Sequence, residues 1–282
     1  MIISPKKTQE IAWIITWISG LIVFLILAIL IGFIFYHGLS SISWGFINNS
    51  IPEGGIFPAI ICTIYIVLLT LAIAVPLGLG TSIYLSLYAP KGKFSDIVRY
   101  SIETLAGVPS IIFGLFGMAL FVIVLLGTQC LLAGALTMAC LVLPTMILAS
   151  EEAIRAVPIF HIEASLALGA TKWQTITKVI LPTALPGIIT AIILCVGRVI
   201  EETACLYATL GLSMLTPGSL FHGGRTLALH LYLLVTEMPG DRELLIGQAM
   251  GTSIILIIIV IMINFLTRFL SGYFLDRMKG GN

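Results

Sequence analysis

The stretch TLAGVPSIIFGLFGMALFVIVLLGTQCLLAGALTMACLVLPTMILAS, Thr104 to Ser150, contains no charged side chain. A helix rises about 1.5 Å per residue, so crossing a hydrocarbon core of about 30 Å takes roughly 20 apolar residues. This run is about twice that length and must turn back once. Gly127-Thr128-Gln129 offers the only plausible tight turn, which makes two spans of it.

The same count extends outward in both directions. Ile11 to Tyr36 is one span and Phe57 to Tyr88 another, and about Leu181 to Cys205 and about Leu244 to Leu270 supply two more. The chain therefore reads as an all-α integral membrane protein with six transmembrane helices. Composition agrees: of 282 residues 59% are hydrophobic and only 10% are charged, against about 25% charged in a soluble domain. Lys6 and Lys7 precede the first apolar run as they would in a signal peptide. That run is longer than an h-region of about 7–15 residues and has no convincing small-residue cleavage site, so it is expected to be a retained span.

Lysine and arginine positions set the orientation. With six spans both ends share a side, together with Lys6, Lys7, Lys91, Lys93, Arg99, Arg155, Lys172, Lys178, Arg268, Arg277 and Lys279. Only Arg225 and Arg242 fall opposite, which places both termini in the cytoplasm. A formal net charge of +1, with the basic residues scattered, gives no basis for nucleic-acid binding. The five cysteines lie mostly inside apolar runs without CxxC pairing or nearby histidines, and read as small buried hydrophobes.

Two connections exceed turn length: a cytoplasmic one at about 151–180 and an external one at about 206–243. The first reads EEAIRAVPIFHIEASLALGATKWQTITKVILP. Pro158 suits the first turn of a helix bearing Ile159, Ile162 and Leu166 on one face, and Gly169 can close it in the left-handed conformation. Trp173, Ile176 and Ile180 make a second apolar stripe, and Pro182 marks the start of span five. From pattern alone, both helices could lie against the protein's own helix ends or on the membrane surface.

Spacing within this loop is more specific. Glu163-Ala164-Ser165, then Gly169, Val179 and Leu181-Pro182, resembles the EAA loop of type I ABC importer permeases, with Ser165 in place of the third Ala and Val179 in place of Ile. The resemblance implies that Glu163, Ala164, Ser165, Gly169, Leu181 and Pro182 belong to the coupling element that docks on an ATPase subunit. No GxxxxGK[ST] phosphate loop is present, so this chain is expected to be non-catalytic and to hold no cofactor, with Mg-ATP bound by a partner ATPase. An ion-gradient carrier would need no such loop. An intramembrane protease finds no support, because Asp96, Asp241 and Asp276 lie in loops or near helix ends and HExxH is absent.

AVPLGLGTSIYLSLYAP (74–90) and GVPSIIFGLFG (107–117) are dense in Gly and Pro, as where helices pack closely or a backbone breaks beside a cavity. These stretches, GRVIEETA (197–204) and SLFHGGRTLALHLYLL (219–234) resemble the phosphate permeases within the same importer family, over nearly the whole of 57–270. The resemblance implies residues 57–270 as the transporter's transmembrane domain, preceded by a helix and external loop (1–56) and followed by a cytoplasmic tail (271–282). It further implies a prokaryotic plasma (inner) membrane, an unlike PstC-like second permease subunit, two copies of a PstB-like ATPase and an external PstS-like phosphate-binding protein.

A charge at the centre of a spanning helix costs about 2.5–3.5 kcal/mol on insertion scales, so Arg198, Glu201 and Glu202 demand a reason. One reading is an ion pair within the helix or to a neighbouring one, since Arg198 precedes the two glutamates by three and four positions. The other is that the planar Arg198 fork receives an oxyanion, with Thr203 and Ser110 adding hydroxyls and Glu202 limiting residence. Phosphonate, molybdate or sulfate would suit the same chemistry. Glu201 stands where the phosphate permeases more usually have Gly, so it either faces a partner subunit or is protonated in an apolar setting. His222, Gly223, Gly224, Arg225 and His230 of the external segment either cap the pathway, contact a soluble binding protein or form a solvated loop.

Overall fold

The computed structural model describes residues 5–90 and 92–279. Among these there is no strand. The helices are α1 (Pro5–Gly38), a short α2 (Trp44–Asn48), α3 (Phe57–Ile83), α4 (Lys93–Ala106), α5 (Ser110–Gly117), α6 (Leu131–Arg155), α7 (Ile159–Ala167), α8 (Lys172–Thr175), α9 (Leu181–Glu201), α10 (Ala204–Thr209), α11 (Leu227–Thr236) and α12 (Arg242–Lys279). Three wider π-helical segments extend this framework: 84–88 after α3, 118–126 after α5, and 176–180 joining α8 to α9.

Five continuous helical segments are long and apolar enough to cross a membrane, and a bent pair supplies a sixth. The second expected span matches residue for residue, Phe57–Tyr88. The third differs. The uncharged run does not start a span at Thr104: α4 ends at Ala106, the chain breaks over Gly107–Pro109, and the continuation Ser110–Leu126 leaves at 99°. Proline carries no N–H for the helical ladder and pushes the preceding residue toward extended backbone, so GVP ends one helix and Pro109 caps the next. Lys93 and Arg99, expected in a short loop, belong to α4. The turn at Gly127 falls where expected, with Gly127 at φ 69°, a backbone region that costs little only for glycine.

The core is a three-helix assembly of α3, α6 and α9. Cys62, Ile66 and Ala74 of α3 meet Met138, Val142 and Met146 of α6 and Ala191 and Cys195 of α9, all of them buried. Lipid supplies no hydrophobic drive between helices, so close backbone approach matters more. A side chain at Gly187 would come within 2.5 Å of the Ala153 Cβ, and one at Gly78 within 2.6 Å of Met146. These two glycines bring α9 and α3 onto α6. The cysteines are free thiols inside this packing, four buried and Cys140 half-buried. By contrast α1 exposes nearly every side chain along its spanning stretch and meets the rest at its far end, where Gly38 approaches Met250 and Ile254 of α12.

Candidate functional site

The cytoplasmic loop folds from local signals. Pro158 caps α7, and its C-terminus closes with paired bonds, Gly169 N–H to the Leu166 carbonyl at 3.0 Å and Ala170 N–H to that of Ser165 at 3.2 Å. This is the Schellman arrangement, with Gly169 at φ 83°. Thr171 and Gln174 then form a reciprocal capping box, and the Ser165 and Thr175 hydroxyls meet at 3.0 Å. Lys172 lies over the Tyr88 ring, 4.3 Å from its centroid, fastening the loop to the end of α3.

Helix, turn and helix thus stand as expected, with one correction. Leu181-Pro182 does not begin a separate span, because α8 runs through the π segment into α9 as one helical stretch, Lys172–Glu201. Pro182 lacks an N–H, and the wider turn closed by Leu181 N–H on the Ile176 carbonyl lies immediately before it. No residue of α7 is buried. Glu163, Ala164 and Gly169 are open to solvent, Ser165, Leu181 and Pro182 are half-buried, and Ile159, Phe160, Leu168 and Trp173 expose 60–89% of their surface. This is an uncovered knob with apolar side chains on its surface.

At its base is a buried ion cluster. Glu151, at the end of α6, receives Arg99 of α4 at 2.8 Å and Arg155 at 2.7 Å, while the second arm of Arg99 donates to the Leu85 carbonyl at 2.7 Å. Through Arg99, one carboxylate therefore ties α4 and α6 to the segment that follows α3, five residues before the loop turns at Ala156-Val157.

Deeper in the membrane, the GRVIEETACL stretch holds an unexpected break. Helix α9 stops at Glu201, Glu202 is extended, and α10 begins at Ala204. The expected pairing of Arg198 with Glu201 or Glu202 is absent among the described residues. Glu202 is buried and accepts the Cys205 N–H at 3.2 Å, so its charge faces the positive end of α10 instead. Glu201 is exposed and, with Thr203, lines an open groove formed with Ala228, Tyr232 and Leu256. Arg198 is half-buried, and its Nε has no hydrogen-bond partner. Ser110, also half-buried, heads α5, the helix that packs on α10 with Gly114 against Cys205. A cleft of about 780 Å³ lies elsewhere, between the external ends of α1 and α12. Its carboxylates, Glu53, Asp241 and Glu243, would repel an anion.

The external segment is not a solvated loop at Arg225 and His230, which are 8% and 3% exposed. The start of α6 needs acceptors for its free N–H groups, and the segment's carbonyls provide them: Thr209 for Cys130, His222 for Leu131 and Leu220 for Leu132. The Leu227 N–H donates to the Thr63 hydroxyl of α3 at 2.9 Å, and Arg225 Nε donates to the Leu212 carbonyl at 2.7 Å. Burial, with the Arg225 charge adding to it, pushes the His230 imidazole down to about 4. Tyr207 of α10 donates to Glu237 at 3.1 Å, closing the segment across the end of α9. His222 alone of these candidates remains exposed.

Comparison with known proteins agrees with this architecture. A family described as "Binding-protein-dependent transport system inner membrane component" matches residues 74–280. The probable ABC transporter permease protein YqgI of Bacillus subtilis (strain 168) is 36% identical over 286 residues, covering 94% of this chain and 95% of that one. The phosphate transport system permease protein PstA 1 of Mycobacterium tuberculosis (strain ATCC 25618 / H37Rv) is 37% identical over 221 residues, 77% of this chain and 71% of the relative. Among solved structures, a chain of the inward-facing MetNI methionine ABC transporter shares the fold at a TM-score of 0.56 and 20% identity, covering 79% of this chain and 94% of that chain. The chain belongs to the family of binding-protein-dependent transport system inner membrane components, with the fold of a type I ABC importer permease.

Proposed function

We propose that the substrate this permease passes is inorganic phosphate, and that Arg198 is the group that receives it. The observation that carries the reading is the uncommitted guanidinium: its two neighbouring carboxylates are turned away, Glu202 into the start of α10 and Glu201 into a separate groove, and its Nε has no partner. A guanidinium offers parallel N–H donors matched to a tetrahedral oxyanion. Of the two hydroxyls expected beside it, Ser110 at the head of α5 would add a donor, whereas Thr203, between α9 and α10, lines the groove with Glu201. The 37% identity to a phosphate transport system permease supports the same substrate.

In this reading the chain forms half of the pathway and carries out no chemistry itself. A second, unlike permease subunit completes it, an external phosphate-binding protein delivers the anion, and two ATPase subunits hold and hydrolyse Mg-ATP. The uncovered apolar face of α7 and Trp173 would seat in an ATPase groove, with Glu163, Ala164 and Gly169 at the contact. Arg198→Ala in the reconstituted complex should abolish labelled phosphate uptake while subunit assembly and ATPase docking survive. Uptake at the parent rate would overturn the role of Arg198, and uptake of sulfate or molybdate in preference to phosphate by the parent complex would overturn the substrate.

A further inference from the structure

We infer that α4 is a membrane-surface helix whose apolar face is seated in the lipid of the cytoplasmic leaflet. The continuation of the bent pair, Ser110–Leu126, runs from the cytoplasmic side to the external turn at Gly127, and α4 departs from it at 99°. A helix at a right angle to a spanning one lies in the plane of the membrane.

Its sequence has the three faces this position requires. At 3.6 residues per turn, Ser95, Val98, Arg99 and Ile102 project together. This is the face that packs on the protein: Ser95 and Ile102 are buried, Ile102 and Val98 join Leu85 and Ile147, and Arg99 is held by Glu151. Asp96 and Glu103 form a second, acidic face, roughly 100° away, exposed to water. Phe94, Ile97 and Leu105 form the third, with the small Ser101 among them donating its hydroxyl to the Ile97 carbonyl, and Phe94 and Ile97 expose 69% and 64% of their surface. Tyr100 and Lys93 lie on the boundary between the acidic and apolar faces. Those two residue types anchor helices at a membrane surface, the aromatic ring at headgroup level and the lysine reaching out toward water. A helix that meets protein, water and an uncovered apolar medium on three sides belongs at an interface, as amphipathic surface helices do.

The placement has a mechanical consequence. Arg99 joins α4 to Glu151, and Glu151 also holds Arg155 at the start of the coupling loop. The loop is thereby referenced to the membrane surface through α4.

The test uses the complete transporter complex in lipid nanodiscs, with a bimane fluorophore on Ile97→Cys or, separately, on Glu103→Cys, read above the background of the labelled parent complex. The label at 97 should lose most of its fluorescence to nitroxide lipids and little to aqueous iodide, and the label at 103 should do the reverse. Protection of position 97 from both quenchers would show that a protein partner covers this face and would overturn the inference. So would ready quenching at 97 by iodide. Phe94→Cys and Leu105→Cys report the same face, so the reading survives failure of one variant to assemble.

Discussion

The Glu202 carboxylate accepts the backbone N–H of Cys205 at 3.2 Å, and this bond, rather than a pair with Arg198, is what holds Glu202 inside the membrane domain. It supplies the first turn of α10 with a buried acceptor and a negative charge at the positive end of a helix.

Glu202→Gln keeps an oxygen for Cys205 and loses the charge, whereas Glu202→Ala loses both. Removing a helix-start acceptor costs about 0.5–2 kcal/mol, so the Ala variant should lower the melting temperature of the purified complex and the Gln variant should lower it less. If Glu202 were chiefly the counter-ion of Arg198, the Gln substitution would be as damaging as the Ala one. Thermal unfolding of the two variants side by side separates the cases.

Glu151 concentrates the charge burial of the cytoplasmic half. Its side chain is 6% exposed and accepts from Arg99 and Arg155. Glu151→Ala would leave the Arg99 guanidinium without its carboxylate, which for a buried pair costs about 3–5 kcal/mol. Arg155 is 54% exposed, and Arg155→Ala should cost at most about 1 kcal/mol. Expression yield and thermal stability should therefore collapse for Glu151→Ala and hold for Arg155→Ala; equal behaviour would count against the cluster as the clamp of α4, α6 and the segment that follows α3.

Gly169 stands at φ 83° with open space where a side chain would go. Gly169→Ala thus carries only the backbone penalty of the left-handed region, about 1–2 kcal/mol, confined to the end of α7. The complex should still assemble, with a lower ratio of phosphate transported to ATP hydrolysed. Glu163 is exposed and caps nothing, so Glu163→Ala should leave melting unchanged and lower that ratio through docking alone. A melting shift for Glu163→Ala larger than for Gly169→Ala would contradict this division.

Much of this is legible in the sequence. The uncharged lengths locate Phe57–Tyr88 and the Gly127 turn, and Pro158 and Gly169 mark the two ends of the first loop helix. Three features are not, for definite reasons. Counting uncharged residues ignores direction, so it passed through Pro109, where the backbone turns by 99°; the placement of Ser95, Val98 and Ile102 on one face of 93–106 was the signal for α4. The spacing of Arg198 and Glu202 suggested a pair because it assumed an unbroken helix. VIEETACL contains no Gly or Pro to announce the stop at Glu201, which depends on α10 packing against α5 and α6. The polar residues of the external segment leave capping, binding-protein contact and a solvated loop open, because nothing in them shows that its backbone serves as the acceptor for α6.

His230 makes that burial measurable. Its imidazole sits at about 4 in the folded protein, held down first by burial and then by Arg225, against about 6.5 in an unfolded chain. Above about pH 6.5 both states are neutral and the residue contributes no pH dependence. As the pH falls below that value the unfolded or opened segment takes up a proton that the folded one refuses. Stability is therefore lost progressively from about pH 6.5 down toward pH 4, with a cost on the order of 2 kcal/mol by about pH 5. Protection of the α11 amides in the intact complex, each rate taken relative to the intrinsic rate at the same pH, should fall over that window, and His230→Gln, which cannot titrate, should remove the fall. Protection of α11 that stays constant from neutrality to about pH 5 in the parent would mean that His230 is hydrated, and that the external segment does not seal against α3 and α6.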